Sequence, residues 1–243
     1  MMEPDLNQYS KVIPYWEGGD IGQYSNHLTV WLDEHIGREG QNVDLKSEFQ
    51  TNIQPLNTLD NEVVDTPLFL SPEILEQLKD RVYCLKAFFN SNECLAFINL
   101  HHDRKIFFIT SGSMGETFLR EIAGLPQIQE ILIFCGNISH HVQTWAMDYI
   151  EVITAMLDHQ TNLLLRLTKD IAKYIQDKGA EHMAALERNG AKTCYAWAIK
   201  LTLRAKKLGD TNSKILLDIL EKKFDDVETT SSTAEEHMEQ DKP

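Results

Sequence analysis

The chain has 243 residues, of which 42% are hydrophobic and 25% charged, and a formal net charge of −14. That balance suits a globular protein able to bury a sizeable core. A field of that sign repels phosphate backbones and anionic lipid surfaces, so neither nucleic acid nor membrane is expected as a partner.

The N-terminus, MMEPDLNQYS, has neither the basic nor the apolar region of a secretory signal. No apolar run approaches the roughly 20 residues that span a bilayer. Cys84, Cys94, Cys135 and Cys194 form no C-x-x-C pair, and each lies in an apolar stretch, where cysteine behaves as a small hydrophobe. Reduced thiols in a cytoplasmic protein are the expectation. The sequon Asn137-Ile138-Ser139 is then a chance match.

Residues 1–23, with Pro4, Pro14, Gly18, Gly19 and Gly22, read as an irregular arm with a few aromatic anchors. LTVWLD at 28–33 is a buried strand running into a loop. A helix is expected near 43–50, then a long connection. Ser71-Pro72-Glu73 has the N-cap, proline and acid that start a helix, here running to about Asp80. VYCLKAF at 82–88 is a second strand. Asn90-Ser91-Asn92-Glu93 caps a helix through about His101, with Cys94, Leu95, Phe97 and Ile98 on its apolar face. KIFFIT at 105–110 has almost no polar break, as in a parallel sheet covered on both sides. After SGSMG a helix is expected from about Glu116 to Ala123, ended by Gly124-Leu125-Pro126. IQEILIF at 128–134 is another buried strand, and ISHHVQTWAMD a short helix or loop. YIEVITAM at 149–156 reads as the last strand. Three helices follow, at about 160–178, 180–208 and 212–224. The acidic residues 225–243 read as a disordered tail.

Strands alternating with helices at this spacing imply right-handed βαβ units. The expected fold class is therefore α/β, a five-stranded parallel sheet of order 2-1-3-4-5 followed by a C-terminal helical segment. The domains read as arm 1–23, α/β domain 24–159, helical extension 160–224 and tail 225–243. A site in such a sheet lies outside the carboxyl ends of the central strands, at the switch in strand order. The residues placed there are Asp33, Glu34, Thr110, Ser111, Gly112, Ser113, Gly115 and Asn137.

At these same places VWLDEHI, KIFFITSGSMGE and IQEILIFCGN resemble a receiver-like, flavodoxin-like domain. Such domains occur in invertebrate multidomain proteins beside tetratricopeptide repeats or an arginine-type ADP-ribosyltransferase. The resemblance covers about residues 26–145 and implies a signalling or scaffold role with no established activity. The sequence has neither a transferase acidic motif nor repeated 34-residue helical pairs.

A working receiver site takes an acidic pair for Mg²⁺, a phospho-accepting aspartate after strand 3, a hydroxyl after strand 4 and a lysine after strand 5. Asp33 and Glu34 fit the first need. Strand 3 ends in Thr110-Ser111 with no carboxylate, strand 4 ends in Cys135-Gly136, and no lysine follows strand 5. Phosphotransfer to aspartate is therefore not expected, and Asp33 reads better as an acceptor for loop backbone than as a metal ligand. Ser111 to Gly115 has the small residues that let backbone N–H groups face an anion, although a plain tight turn explains them as well.

Other chemistries fall short. SGSMG nearly matches the nucleophile elbow, but nothing fixes the geometry of His140, His141 or His159 as its base. Cys135 at a strand end has no partner base. Adjacent histidines such as His101-His102 and His140-His141 diverge and chelate poorly, so no metal is expected. Glu93, placed where a TIR-type NAD-cleaving enzyme needs an acid, is explained by capping.

In the helical segment, Leu163, Leu164, Leu167, Ile171, Tyr174 and Ile175 form one apolar stripe. Tyr195, Trp197, Ala198, Ile199, Leu201 and Leu203 form another. Lys192, Lys200, Arg204, Lys206 and Lys207 suggest a basic face in an acidic protein, either solvated or a docking surface. Two functions follow. The first is a non-catalytic receiver-like signalling or interaction module that docks on a second copy or a partner through its helices, with no cofactor. The second is a sensor or enzyme for a small anionic ligand or nucleotide, using the 111–115 loop.

Overall fold

The strands form on short runs rich in apolar residues, many of them β-branched or aromatic: β1 His27–Leu32, β2 Leu85–Phe88, β3 Lys105–Ser111, β4 Ile128–Phe134 and β5 Ala155–Leu157. The computed structural model describes residues 6–17, 21–53 and 85–240, with residues 6, 7, 17 and 228–240 of these in backbone only. In it the five strands pair in parallel in the order β2-β1-β3-β4-β5, a flavodoxin-like α/β arrangement. This is the order expected from the sequence. The helix expected at Ser71–Asp80 and the start of the strand expected from Val82 lie outside the described residues.

Helices α1 Ile13–Glu17, α2 Val43–Ile53, α3 Ser91–Leu100, α4 Gly112–Ile122 and α5 Ile138–Thr144 intervene in chain order. Then come α6 Gln160–Ala184, α7 Arg188–Lys207 and α8 Ser213–Gln240. The chain divides into two compact units, residues 26–167 and residues 1–25 with 168–243. No helix among the described residues is long and apolar enough to cross a membrane.

In the α/β unit, alternation along the strands sends Leu28, Val30, Leu32, Ile106, Phe108, Ile131 and Ile133 to one face. There they pack with Cys94, Phe97 and Ile98 of α3 and Phe118, Leu119 and Ile122 of α4. Trp31 points the other way, its ring 4.9 Å from Phe49 of α2 and 6.1 Å from Phe134. Helix α3 starts where the sequence says. Asn90 Oδ1 accepts from the N–H groups of Asn92 (2.8 Å) and Glu93 (3.2 Å), satisfying two of the helix's otherwise orphaned donors.

In the α/β unit two differences from expectation bear on the site. Helix α4 begins at Gly112, a full turn before Glu116, so SGSMG is the first turn of a helix. The last strand is three residues long. Residues 149–153 instead bend the chain, with the N–H groups of Val152 and Ile153 donating to Tyr149 O. Thr154 N then meets Ile131 O and the ladder to β4 begins.

In the helical unit the described residues before β1 include the short turns Leu6–Tyr9, α1 and Ile21–Gln23. Its aromatic residues do act as anchors. Trp16 Nε1 donates to Ala196 O at 2.6 Å, and Tyr15 meets Phe224 edge-on at 5.3 Å. Glycines allow close helix approach. A Cβ at Gly179 would lie 2.6 Å from the Tyr195 ring, and one at Gly190 would lie 2.9 Å from Tyr24. The break between helices falls at residues 185–187, where Leu186 has φ 63°, rather than near residue 179 as the sequence suggests. The residues of both apolar stripes are buried, Leu163, Leu164 and Leu167 within the α/β unit and the rest within the helical unit. Helix α8 runs past the expected end at 224, because Phe224 and Val227 continue the buried stripe of Leu217 and Leu220. Lys200 is buried, with its ammonium 4.3 Å from the Trp197 ring centroid and 5.7 Å from that of Trp16. Lys192 lies over Tyr15 and Phe224. Of the five cations read as a basic face, these two are therefore packed on rings, while Lys206 and Lys207 remain exposed.

Candidate functional site

The register of the sheet brings the strand ends together. Leu32 pairs with Thr110, Ser111 with Phe134, and Phe134 with Leu157. Asp33, Ser111, Cys135 and Asp158 thus share one rim, at the switch point where chains of this topology hold ligands.

Asp33 is 8% exposed. Its Oδ1 accepts from His35 N at 2.8 Å and Ile36 N at 2.9 Å, closing the loop after β1 on itself. Three further contacts fix that loop. Asp33 N donates to Phe88 O (2.9 Å), Gly37 N donates to Asp33 O (3.0 Å), and the buried Lys46 Nζ donates to Arg38 O (3.0 Å). Glu34 points outward and lies 3.7 Å from the Arg38 guanidinium. The acidic pair therefore splits. One carboxylate accepts loop backbone bonds and the other lies in an exposed ion pair, which contributes little.

Thr110 is fully buried, its hydroxyl directed to Ser111 O at 3.4 Å. Ser111 is half-buried at the N-cap of α4 but makes no side-chain capping bond, and Ser113 is exposed. Gly112 and Gly115 are buried on one face of the helix, three residues apart. A Cβ at Gly115 would lie 3.2 Å from Thr110 Cγ2 and from the Trp145 ring. One at Gly112 would lie 2.2 Å from His141 Nε2. The first turn of α4 is thus covered by an imidazole from α5. Asn137 caps α5, its side chain accepting from His140 N at 3.1 Å.

The structure thus brings the eight residues picked from sequence to one rim and gives Asp33 and Asn137 backbone partners there. Sequence reasoning weighed His141 only as a base for the elbow or as half of a histidine pair, and missed Trp145. They stand four residues apart, and Trp145 Nε1 donates to His141 Nδ1 at 3.1 Å. Their i, i+4 spacing, set against the i, i+3 spacing of Gly112 and Gly115, was the available signal. Burial, then the neighbouring His140, push the His141 pKa down, against an upward pull from Glu116. Burial also pushes the Cys135 thiol up, away from the thiolate a nucleophile requires. Among the described residues no group of three or more His, Cys, Asp or Glu side chains is placed to hold a metal ion.

No family model, curated protein or solved structure matches this chain.

Proposed function

We propose that the chain is a receiver-like interaction module that works without phosphotransfer, its helical segment docking on a second copy or on a protein partner. The observation that carries this reading is Asp33. The one carboxylate at the switch point that belongs to the acidic pair and is buried accepts two backbone N–H bonds of its own loop. The neighbouring strand, β3, ends in Thr110-Ser111, where a phospho-accepting carboxylate would be needed. A rim arranged in this way is suited to presenting a fixed surface. Size-exclusion chromatography with light scattering tests self-association. A concentration-dependent rise in mass is expected, and a strict monomer at high concentration removes the second-copy form of the proposal.

The alternative is a small anion at the first turn of α4. It is favoured by the Ser111 hydroxyl, which is half-buried there and makes no cap bond. A thermal-shift screen with nucleotides and phosphosugars separates the two readings, since a ligand of the native state raises the midpoint with concentration. A flat response to every compound counts against the anion.

A further inference from the structure

Two glycines on one helix and two rings on the facing segment make a closed contact at the carboxyl end of the sheet. The His141 imidazole rests on Gly112, which leaves no room for a Cβ, and the Trp145 ring sits one turn on against Gly115. Trp145 also stands edge-on to Tyr149 at 6.2 Å and is 6% exposed, so this ring belongs to the core. The two rings are tied by the 3.1 Å bond from Trp145 Nε1 to His141 Nδ1.

The direction of that bond fixes the proton. An indole nitrogen only donates, so Nδ1 must offer a lone pair, and the neutral imidazole carries its single hydrogen on Nε2. A second proton can go only to Nδ1, where it would meet the indole N–H donor to donor. The charged and titratable groups around the ring are few. His140 of α5 lies 5.3 Å away, and α4 contributes Glu116 and the positive amino end of the helix. Burial, His140 and the helix end disfavour the cation, and Glu116 favours it.

We propose that His141 is a pH-sensitive latch: neutral, it ties α5 through Trp145 to the first turn of α4, and protonated it lets go, uncovering Ser111 and the N–H groups of that turn. The closed state holds one proton fewer than the open one. The bias toward opening therefore grows as pH falls below the ordinary histidine value of about 6.5, by at most about tenfold per pH unit. The carboxyl edge then has two states, one with the imidazole resting on Gly112 and one with that helical turn and its backbone donors uncovered. The latch operates whether or not an anion binds there.

The test uses the full chain and NMR. The Trp145 indole N–H signal is assigned by its absence from Trp145→Phe, and amide protection is corrected for intrinsic exchange. Between about pH 7.5 and 5 the indole signal should move in a single one-proton transition centred below the usual histidine value. Protection of the Gly112–Glu116 amides should fall in step. His141→Gln, which keeps an acceptor for the indole but cannot take a proton, should hold both constant. Glu116→Gln, at an exposed position, should move the midpoint lower. Three results would overturn the proposal: a wild type flat across that range, a transition that persists in His141→Gln, or a loss of protection in β3 at the same midpoint, which would mark general acid unfolding.

Discussion

Gly37→Ala is expected to be among the most damaging single-atom changes in the α/β unit. A Cβ at Gly37 would lie 2.0 Å from Phe88 C, 2.1 Å from Phe88 O and 2.4 Å from Phe89 N. These are backbone atoms at the end of β2, and Phe88 O is already held by Asp33 N. Neither side can yield without losing the Asp33–Phe88 and Gly37–Asp33 bonds, at about 0.5–1.5 kcal/mol each. Overpacking adds about 1–3 kcal/mol. The expected loss is about 2–6 kcal/mol, or a midpoint lower by about 5–18 °C for a unit of this size. Gly112→Ala meets a side chain that can move away. Its cost is bounded by the indole–imidazole bond, about 0.5–1.5 kcal/mol, and is offset in part by the better helix propensity of alanine. Gly124→Ala meets open space and should change stability by less than about 0.5 kcal/mol. Urea unfolding of the three variants followed by circular dichroism measures the ranking. A Gly37→Ala protein within about 0.5 kcal/mol of the parent would refute the close approach of the β1 loop to β2.

Asp33→Ala strands two backbone donors and should cost about 2–4 kcal/mol, whereas Asp33→Asn keeps an oxygen in place and should cost under about 1 kcal/mol; equal losses in urea melts would mean that the charge, not the acceptor, matters. His101 is buried, with Nδ1 at 2.9 Å from Phe97 O and Nε2 without a hydrogen-bond partner among the described residues, and burial first of all holds its pKa down. It is neutral in both folded and unfolded states above about pH 6.5, and stability is lost as pH falls below that value, by at most about 1.4 kcal/mol per pH unit. His101→Leu should flatten this acid slope between pH 7.5 and 5, and an unchanged slope would remove His101 as its source. Burial raises the thiol pKa of Cys94, and it brings that of Cys194 to about 12. Both thiols should resist a water-soluble thiol reagent until the chain is unfolded, as peptide mass mapping of the labelled protein would show; fast native labelling at either would contradict their burial.

Strand order was legible because β1, β2 and the middle of β3 are buried and read as mainly apolar runs, and because Asn90 announces its helix. Boundaries failed where local pattern and tertiary contact disagree. YIEVITAM has the composition of a strand, yet the chain turns at Tyr149 and only its end joins the sheet. Ser111 to Gly115 has the composition of a loop, yet both glycines are helical and serve as seats for His141 and Trp145. The positions of the rim residues followed from topology. Their occupants did not, because a histidine twenty-six or more residues beyond the loop shows its place only once α5 is folded against α4. Lys200 is a further case. Its charge suggested a solvated face, and the rings of Trp16 and Trp197, distant in sequence, draw it inward.

The central claim is that the carboxylate at the switch point serves its own loop rather than a metal and a phosphoryl group. The most direct measurement is a titration of the protein with Mg²⁺ and beryllofluoride, a mimic of aspartyl phosphate, following the amides of His35, Ile36 and Ser111 by NMR. The amides of His35 and Ile36, bonded to Asp33, should show no saturable shift. Saturable movement of both, abolished in Asp33→Asn, would contradict the account.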